Sequence, residues 1–561
     1  MSAQAQTVGT CQPGTHQVDL DANNVRARLL NTGTFFHGDT PHRYSVPKQS
    51  GVNAAFAASL WFAGVAPGSE VYFAGTTYGP YEFWPGPLDA DGNPPNNCAD
   101  YDRMYSVYDA DIRAYERDGT LADDLRDWPH HLGAPVVDGD GIEGNYDLAA
   151  GDRPPVYGEQ SVWWVMNDAG NTKQWSVTPP IGLELQVQAF SAACAPTSVP
   201  DAMLNAEIQT AVEHATYYHI KAIHRGDTAL RDTYFGWWTD GDLGDASDDY
   251  IGTDTLLQMG YYYNANAYDG GQNRTPATTQ GDQVLPYAYG ATPPAWGSLL
   301  AQPLRLSSGA MQPLYFTKSY DPNALGGTSF FPPSAEEHYN QLRGIHRDGQ
   351  PITYGGLGYG GRREAQYMYP GDPVRDVFWS EENPGTGQRH EPGDRRLLLS
   401  SGPFPFAPGD TLTLTVALPW ARGNDRLQSV AQLRRHAVIA RGLADDLMQY
   451  DIRECPASTA LQPEPRAPHP DALNHYVLRQ NYPEPFSQRT TIRYEVIDTV
   501  PVTLTVYDLL GRRVRTLVDG MQSAGVYDVV FDAGDLPTGL YFYRLEAAGY
   551  VSITRRMTLQ R

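Results

Sequence analysis

The sequence predicts a mainly β protein: a multi-domain body of β-sandwich type with few helices, then a C-terminal Ig-like antiparallel β-sandwich. Three observations predict it. Several short runs alternate apolar and polar residues with a period of two, the pattern of half-buried strands. The 561 residues include 55 Gly and 44 Pro, which supply many turns. They also include 36 Tyr and 11 Trp, large side chains that pack well on pleated surfaces.

The chain begins Met-Ser-Ala-Gln-Ala-Gln, without a charged or apolar leader, and so reads as a mature form with an added Met. Residues 1–275 read as an acidic, β-rich N-terminal domain. It carries the Trp-rich segments Phe83-Trp-Pro-Gly-Pro, Val162-Trp-Trp-Val and Phe235-Gly-Trp-Trp, and a strand at Thr216-Tyr-Tyr-His-Ile-Lys-Ala-Ile. A short helix is expected from Ala110 to Leu125. Residues 276–455 read as a second β-rich unit. Its turn Ala407-Pro-Gly-Asp feeds the alternating strand Thr411-Leu-Thr-Leu-Thr-Val-Ala-Leu. This unit ends in a helix at about 425–450, where Asp425 is the expected N-cap. Leu427, Val430, Leu433, Ala437, Ala440 and Leu447 follow at helical spacing. Pro463, Pro465, Pro468 and Pro470 mark 456–476 as an extended linker.

The C-terminal domain, 477–561, opens on Gln480-Asn-Tyr-Pro-Glu-Pro-Phe. Ile492, Tyr494 and Val496 alternate with polar residues, as do Val502, Leu504 and Val506. Asp519-Gly520 signals a turn, and Pro537-Thr-Gly539 separates two strands. This segment resembles the type A sorting domain of Bacteroidota type IX secretion cargo. The resemblance rests on Gln480, Asn481, Tyr482, Pro483, Pro485, Phe486, Pro537, Gly539, Tyr541, Arg555 and Arg556. Glu484 stands where the family usually has Asn, and Arg555 or Arg556 where it has Lys. The resemblance implies a partner, the type IX secretion machinery, engaged through 477–561. It also implies an extracellular or outer-membrane-surface location. The body resembles only uncharacterised secreted cargo.

Charge and composition exclude several classes. A net charge of −24 repels nucleic acid and anionic lipid. The sequence lacks an apolar run of roughly 18 residues, so no transmembrane helix is expected. The motifs HExxH, GxSxG and GxxxxGK[ST] are missing from the sequence. Cys11, Cys98, Cys194 and Cys455 stand far apart; in an oxidising compartment they can form two disulfides, with three connectivities open, and free buried thiols are the alternative.

Three acidic loops carry the expected chemistry. They hold Asp89, Asp91 and Asn93; Asp138, Asp140 and Glu143; and Asp240, Asp242, Asp245 and Asp248. Alternate Asp residues on a tight loop can aim carboxylates at one point, which suits the oxygen shell of structural calcium. Solvated turns are the plainer alternative. His214, His219 and His224 fall on one strand with alternating faces and cannot share a metal. Gly356–Gly361 matches GxGxxG without the strand and helix that motif needs. Glu82, Glu159, Glu184 and Glu213 are candidates for paired carboxylates, and Tyr261–Tyr263 for a sugar platform. The reading is a secreted or cell-surface structural or adhesion protein, non-enzymatic, self-assembling into an oligomer or polymer, and calcium-stabilised. The alternative is a polysaccharide-active enzyme or glycan-binding protein.

Overall fold

The computed structural model describes residues 9–37, 44–50, 53–79, 82–200, 204–266, 295–300, 305–306, 318–320, 334–385, 389–449, 477–479, 481–496, 499–508, 513–523, 525–534, 536–547 and 551–560. Two compact units divide the chain: Met1–Val199 with Asn205–Cys455, and Pro200–Leu204 with Pro456–Arg561.

The first unit, the body, is mainly β and antiparallel. One sheet runs in the order Asp249–Asp254, Met259–Asn264, Ala295–Leu300, Thr411–Ala421, Ala215–His224, Leu183–Ser191, Gln160–Asn167 and Trp84–Pro85. A second runs Lys318–Tyr320, Arg396–Phe406, Leu230–Asp240, Ala57–Val65 and Thr34–Phe35. The two sheets face each other across one apolar core. Leu185, Val187, Tyr218 and Ile220 come from the first sheet; Leu60, Phe62, Phe235 and Trp237 come from the second. The ring centroids of Tyr218 and Trp237 lie 5.5 Å apart across that core.

Period-two alternation predicts strands with one wet face. The central strands Gln160–Asn167 and Leu183–Ser191 are instead buried along their whole length. The cause is a cover on the sheet's outer face: there Trp163 and Val165 pack with Ile112, Leu125 and Trp128, and further along the sheet a long helix lies over the neighbouring strands. Helix Arg426–Leu447 packs across Thr411–Ala421 and Ala295–Leu300. Tyr217, on the face opposite Tyr218, reaches the carbonyl of Ala440 at 3.5 Å. Asp425 caps this helix as expected, its carboxylate accepting from the amides of Leu427 and Gln428 at 2.9 and 2.8 Å. The helix expected over 110–125 is two pieces, Asp109–Asp118 and Asp123–Arg126. Gly119, at φ 75°, ends the first in the left-handed conformation.

The two β-rich units expected at 1–275 and 276–455 are joined by hydrogen bonds into this one body. Ala215–His224 pairs with Thr411–Ala421, and Leu230–Asp240 with Arg396–Phe406. Local alternation reveals strands but not their partners, so the expected division followed composition rather than pairing. The boundary itself, and the 456–476 linker, lie outside the described residues. Cys11 and Cys98 form one disulfide across a sequence separation of 87. Cys194 is also disulfide-bonded; Cys455 lies outside the described residues.

The second unit contains a small sandwich. One sheet holds Val477–Leu478, Arg489–Val496 and Gly525–Asp532; the other holds Arg513–Gln522, Val500–Tyr507, Gly539–Ala547 and Val551–Leu559. The alternating residues Ile492, Tyr494, Val496, Val502, Leu504 and Val506 are all buried in it.

Candidate functional site

The three acidic loops differ in what satisfies their carboxylates. In the first, Asp89 Oδ1 accepts from the amides of Asp91 and Asn93 at 2.9 and 2.8 Å. Its slight burial opposes ionisation, but these donors, with the Asn93 amide group, outweigh it and hold Asp89 below its usual value. The loop is a self-capped turn.

The second loop brings Asp138 and Asp140 together with Asp152, while Glu143 stays exposed and apart. Backbone donors again occupy the carboxylates. Asp138 Oδ1 accepts from Asp140 and Gly141, at 3.0 and 2.6 Å. Asp152 accepts from Asp147 and Gly139, at 2.7 and 2.9 Å, and these bonds hold it below its usual value. An antiparallel bridge between Val137 and Arg153 closes the base of the loop.

The third loop is built differently. It does not gather Asp240, Asp242, Asp245 and Asp248 at one point. Asp245 caps a short turn through the Ser247 amide at 2.9 Å. Asp248 is buried and accepts from Asn266 at 2.6 Å. Its burial, with Asp245 nearby, pushes it up to about 6. Asp240 and Asp242 instead meet Asp394, with one oxygen from each carboxylate within 4.8 Å of the others. Asp240 ends the Leu230–Asp240 strand opposite Arg396 in register. Its Oδ2 accepts from Tyr78 Oη at 2.5 Å and from Arg396 Nη2 at 3.2 Å. Its Oδ1 is buried without a hydrogen-bond partner. Burial, then Asp242, raise the Asp240 carboxyl well above the carboxylate range, against the pull of Arg396. Sequence reasoning missed Asp394, because nothing local ties it to a strand end 150-odd residues earlier; Arg396, which bonds Asp240, lies 156 residues away.

Other expected features resolve into packing. His214 sits at the end of helix Ala206–Glu213, bonded to Asn24; His219 bonds Thr415 and His224 bonds the Thr228 carbonyl. Tyr261, Tyr262 and Tyr263 are fully buried, as are Trp164 and Trp237. Gly356, Gly358 and Gly360 all take positive φ in a turning loop. The four glutamates do not pair with one another. Glu82 accepts from Ser176, Glu184 from Leu88 and Gln186, Glu213 from Gln209, and Glu159 from the Ala193 amide.

Burial pushes Glu159 up to about 7. A carboxyl raised in the folded state favours folding fully below its unfolded value, and that contribution is lost as pH rises through the folded one. Wild type is therefore expected to lose about 1–2 kcal/mol between pH 5 and 8 through this group. Glu159→Gln should lack that increment in urea unfolding at the two pH values; an identical pH dependence would refute the assignment.

A broad open hollow of about 670 Å³ is bounded by His16, Asp100, Asp102, Asp123 and Asp124. Asp102 is partly buried, which opposes ionisation. Donors from Asn31, Thr15 and His16 outweigh this and hold it below its usual value. A carboxylate held this way suits charge, not proton donation.

In the C-terminal sandwich the quoted motif residues tie the entry segment to the last strands. Asn481 Nδ2 donates to Pro483 O, Glu484 Oε2 and Thr490 Oγ1 at 3.0, 3.1 and 2.9 Å. Glu484 in turn accepts from the Thr558 amide at 2.9 Å. An acceptor is required there, and Glu supplies it. Phe486 is buried, and its amide donates to the Thr558 carbonyl at 3.0 Å. Arg555 Nε donates to Leu478 O at 2.6 Å, and Tyr541 Oη to Pro537 O at 2.8 Å. Tyr482, Pro483, Pro485, Pro537 and Arg556 face solvent, while Gly539 is half-buried. Gln480 lies outside the described residues.

The family model for the secretion system C-terminal sorting domain matches residues 480–560. Residues 480–560 are a type IX secretion sorting domain. The sorting domain marks the chain as secreted cargo, bound for the extracellular space or cell surface, with the type IX secretion machinery as partner. Among the described residues, no helix is long and apolar enough to cross a membrane. No curated protein sequence matches the chain. Among solved structures, the chain is similar to a polysaccharide lyase at 8% identity and a TM-score of 0.22, covering 100% of this chain and 47% of that one. It is similar to dimeric latent PorU from Porphyromonas gingivalis at 9% identity and a TM-score of 0.15, covering 89% and 41%. The chain spans less than half the length of either, and at these TM-scores neither carries weight for the body's chemistry.

Proposed function

We propose that the sorting domain delivers a non-enzymatic structural or adhesion protein, calcium-stabilised and self-assembling at the cell surface. The observation that supports it most is where the aromatics go. A sugar-acting cleft displays Tyr and Trp on its walls. Here Tyr261–Tyr263, Trp163, Trp164, Trp237 and Trp238, the clusters that would supply such walls, fill the interior. They rigidify a large sandwich. The acidic surface suits divalent ions from the medium as bridges between copies.

The test uses the full chain. Sedimentation velocity across a concentration series, with calcium and with chelator, is expected to show calcium-dependent association. Incubation with a panel of acidic and neutral polysaccharides is expected to leave their chain lengths unchanged. Depolymerisation of any of them would sink the non-enzymatic reading in favour of the polysaccharide-active one. Strictly monomeric behaviour in calcium would remove self-assembly.

A further inference from the structure

We propose that Asp240, Asp242 and Asp394 hold one calcium ion, which clamps the end of the Leu230–Asp240 strand to the segment leading into Arg396–Phe406. The inference rests on the calcium-stabilised reading and gives it a site.

Four observations converge. The first is reach. Oxygens from all three carboxylates lie within 4.8 Å of one another. A single ion with ligands at about 2.3–2.6 Å can touch oxygens spaced that way.

The second is an unmet acceptor. The Asp240 side chain is 3% exposed, and its Oδ1 has no hydrogen-bond partner. Buried acceptors are ordinarily paired. The other oxygen of the same carboxylate is engaged by Tyr78 and Arg396, which fixes the group's orientation.

The third is charge. Arg396 Nη1 lies 3.0 Å from Asp394 Oδ1, and its Nη2 lies 3.2 Å from Asp240 Oδ2. Three carboxyl groups thus gather around one guanidinium, an acidic setting that a divalent ion suits. The ligands are oxygen alone, without His or Cys, so the site suits a hard cation.

The fourth is construction. Asp240 and Arg396 are register partners in adjacent strands, so Asp394 enters from the neighbouring strand's approach. Asp242 turns back at φ 43° directly after Gly241. A Cβ on Gly241 would meet the Tyr262 ring at 2.3 Å, so that position takes only Gly. Two chain segments, brought together by the sheet, thus present their carboxylates to one point. The Asp138, Asp140 and Asp152 group lacks a buried oxygen like Asp240 Oδ1, and its carboxylates accept from their own loop's amides.

The experiment takes the full chain stripped with EGTA and adds calcium alone. Calcium is expected to raise the melting temperature. Terbium is expected to luminesce on tyrosine excitation and to be displaced by calcium, since Tyr78 bonds the Asp240 carboxylate. Asp242 and Asp394 sit nearer solvent than Asp240, so Asp242→Asn and Asp394→Asn should fold, as checked by near-UV circular dichroism in EGTA. Each is expected to weaken calcium binding by about ten- to hundredfold, the size of loss seen when a metal site's supporting groups are removed. Asp140→Asn should bind as wild type does. Should Asp394→Asn fail to fold, Asp242→Asn decides alone. A calcium shift retained in full by the Asp242→Asn protein overturns the site. If Asp140→Asn abolishes the shift instead, calcium stabilisation survives and this site does not. If wild type shows no shift, both fall. An equal response to magnesium at the same concentration overturns the choice of calcium.

Discussion

Lys173→Met is expected to cost the body about 3–5 kcal/mol, the loss typical of a buried ion pair deprived of one partner. Lys173 is one of few lysines in the chain, and its side chain is 1% exposed against 0% for Asp168. The ammonium lies 2.8 Å from Asp168 Oδ2. It also donates to the carbonyls of Phe73 and Pro179 at 2.6 and 3.4 Å. Asp168 meanwhile accepts from the amides of Ile181, Gly182 and Leu183 at 2.7, 3.0 and 2.7 Å. The pair therefore staples the Val71–Gly75 strand of one sheet to the start of Leu183–Ser191 in the other.

Methionine fills the volume of the stem but strands two carbonyls and a buried carboxylate. A second carboxylate suffers too. Burial raises Glu82, and the Lys173 charge opposes that rise. Without Lys173 the folded value of Glu82 climbs further. A raised carboxyl destabilises above its folded value and recovers on protonation. The deficit of Lys173→Met should consequently shrink as pH is lowered from 8 toward 5. Urea unfolding at both pH values checks this. The double change Lys173→Met with Asp168→Asn should recover part of the loss, since the amide oxygen still accepts a backbone N–H. A single-mutant loss under about 1 kcal/mol would mean that water reaches the pair and screens it.

How far the sequence spoke depends on the range of the interaction. The sorting domain was legible because its strands alternate cleanly and their turns are short. Helix Arg426–Leu447 was legible because Asp425 and the Leu/Ala stripe are local signals. The body's sheet order was not, because Ala215–His224 finds its partner at Thr411–Ala421, far along the chain. Tyr261–Tyr263 carries no alternation at all. Its burial follows from a sheet covered on both faces, which no local pattern reports. The acidic loops show both outcomes. Asp89 and Asp138 cap their own turns, a local event that Asp–Gly composition already suggests. The Asp240 cluster depends on the pairing of Leu230–Asp240 with Arg396–Phe406, and so on topology.

The same dependence on distant pairing governs the second large effect, at Arg434. Its side chain is 3% exposed within helix Arg426–Leu447. Nη1 lies 2.8 Å from Asp372 Oδ1, Nε lies 3.2 Å from Asp254 Oδ2, and Nη2 donates to Tyr261 Oη at 3.4 Å. Asp254 spends its other oxygen on the amides of Leu256 and Leu257, so its second oxygen is left for Arg434. Arg434→Leu leaves two carboxylates facing an apolar side chain and is expected to cost about 4 kcal/mol. Arg434→Lys should rescue little of this. A lysine ammonium is a point charge and cannot span Asp254, Asp372 and the Tyr261 hydroxyl as the planar guanidinium does. Adding Asp254→Asn to Arg434→Leu should recover part of the loss by removing one stranded charge. Amide exchange along Arg426–Leu447 gives a second readout. The helix covers the outer face of the sheet, so losing its anchor should raise exchange there beyond what global destabilisation alone produces. Full rescue by Lys would show that charge alone, not the fork geometry, holds the helix to the body.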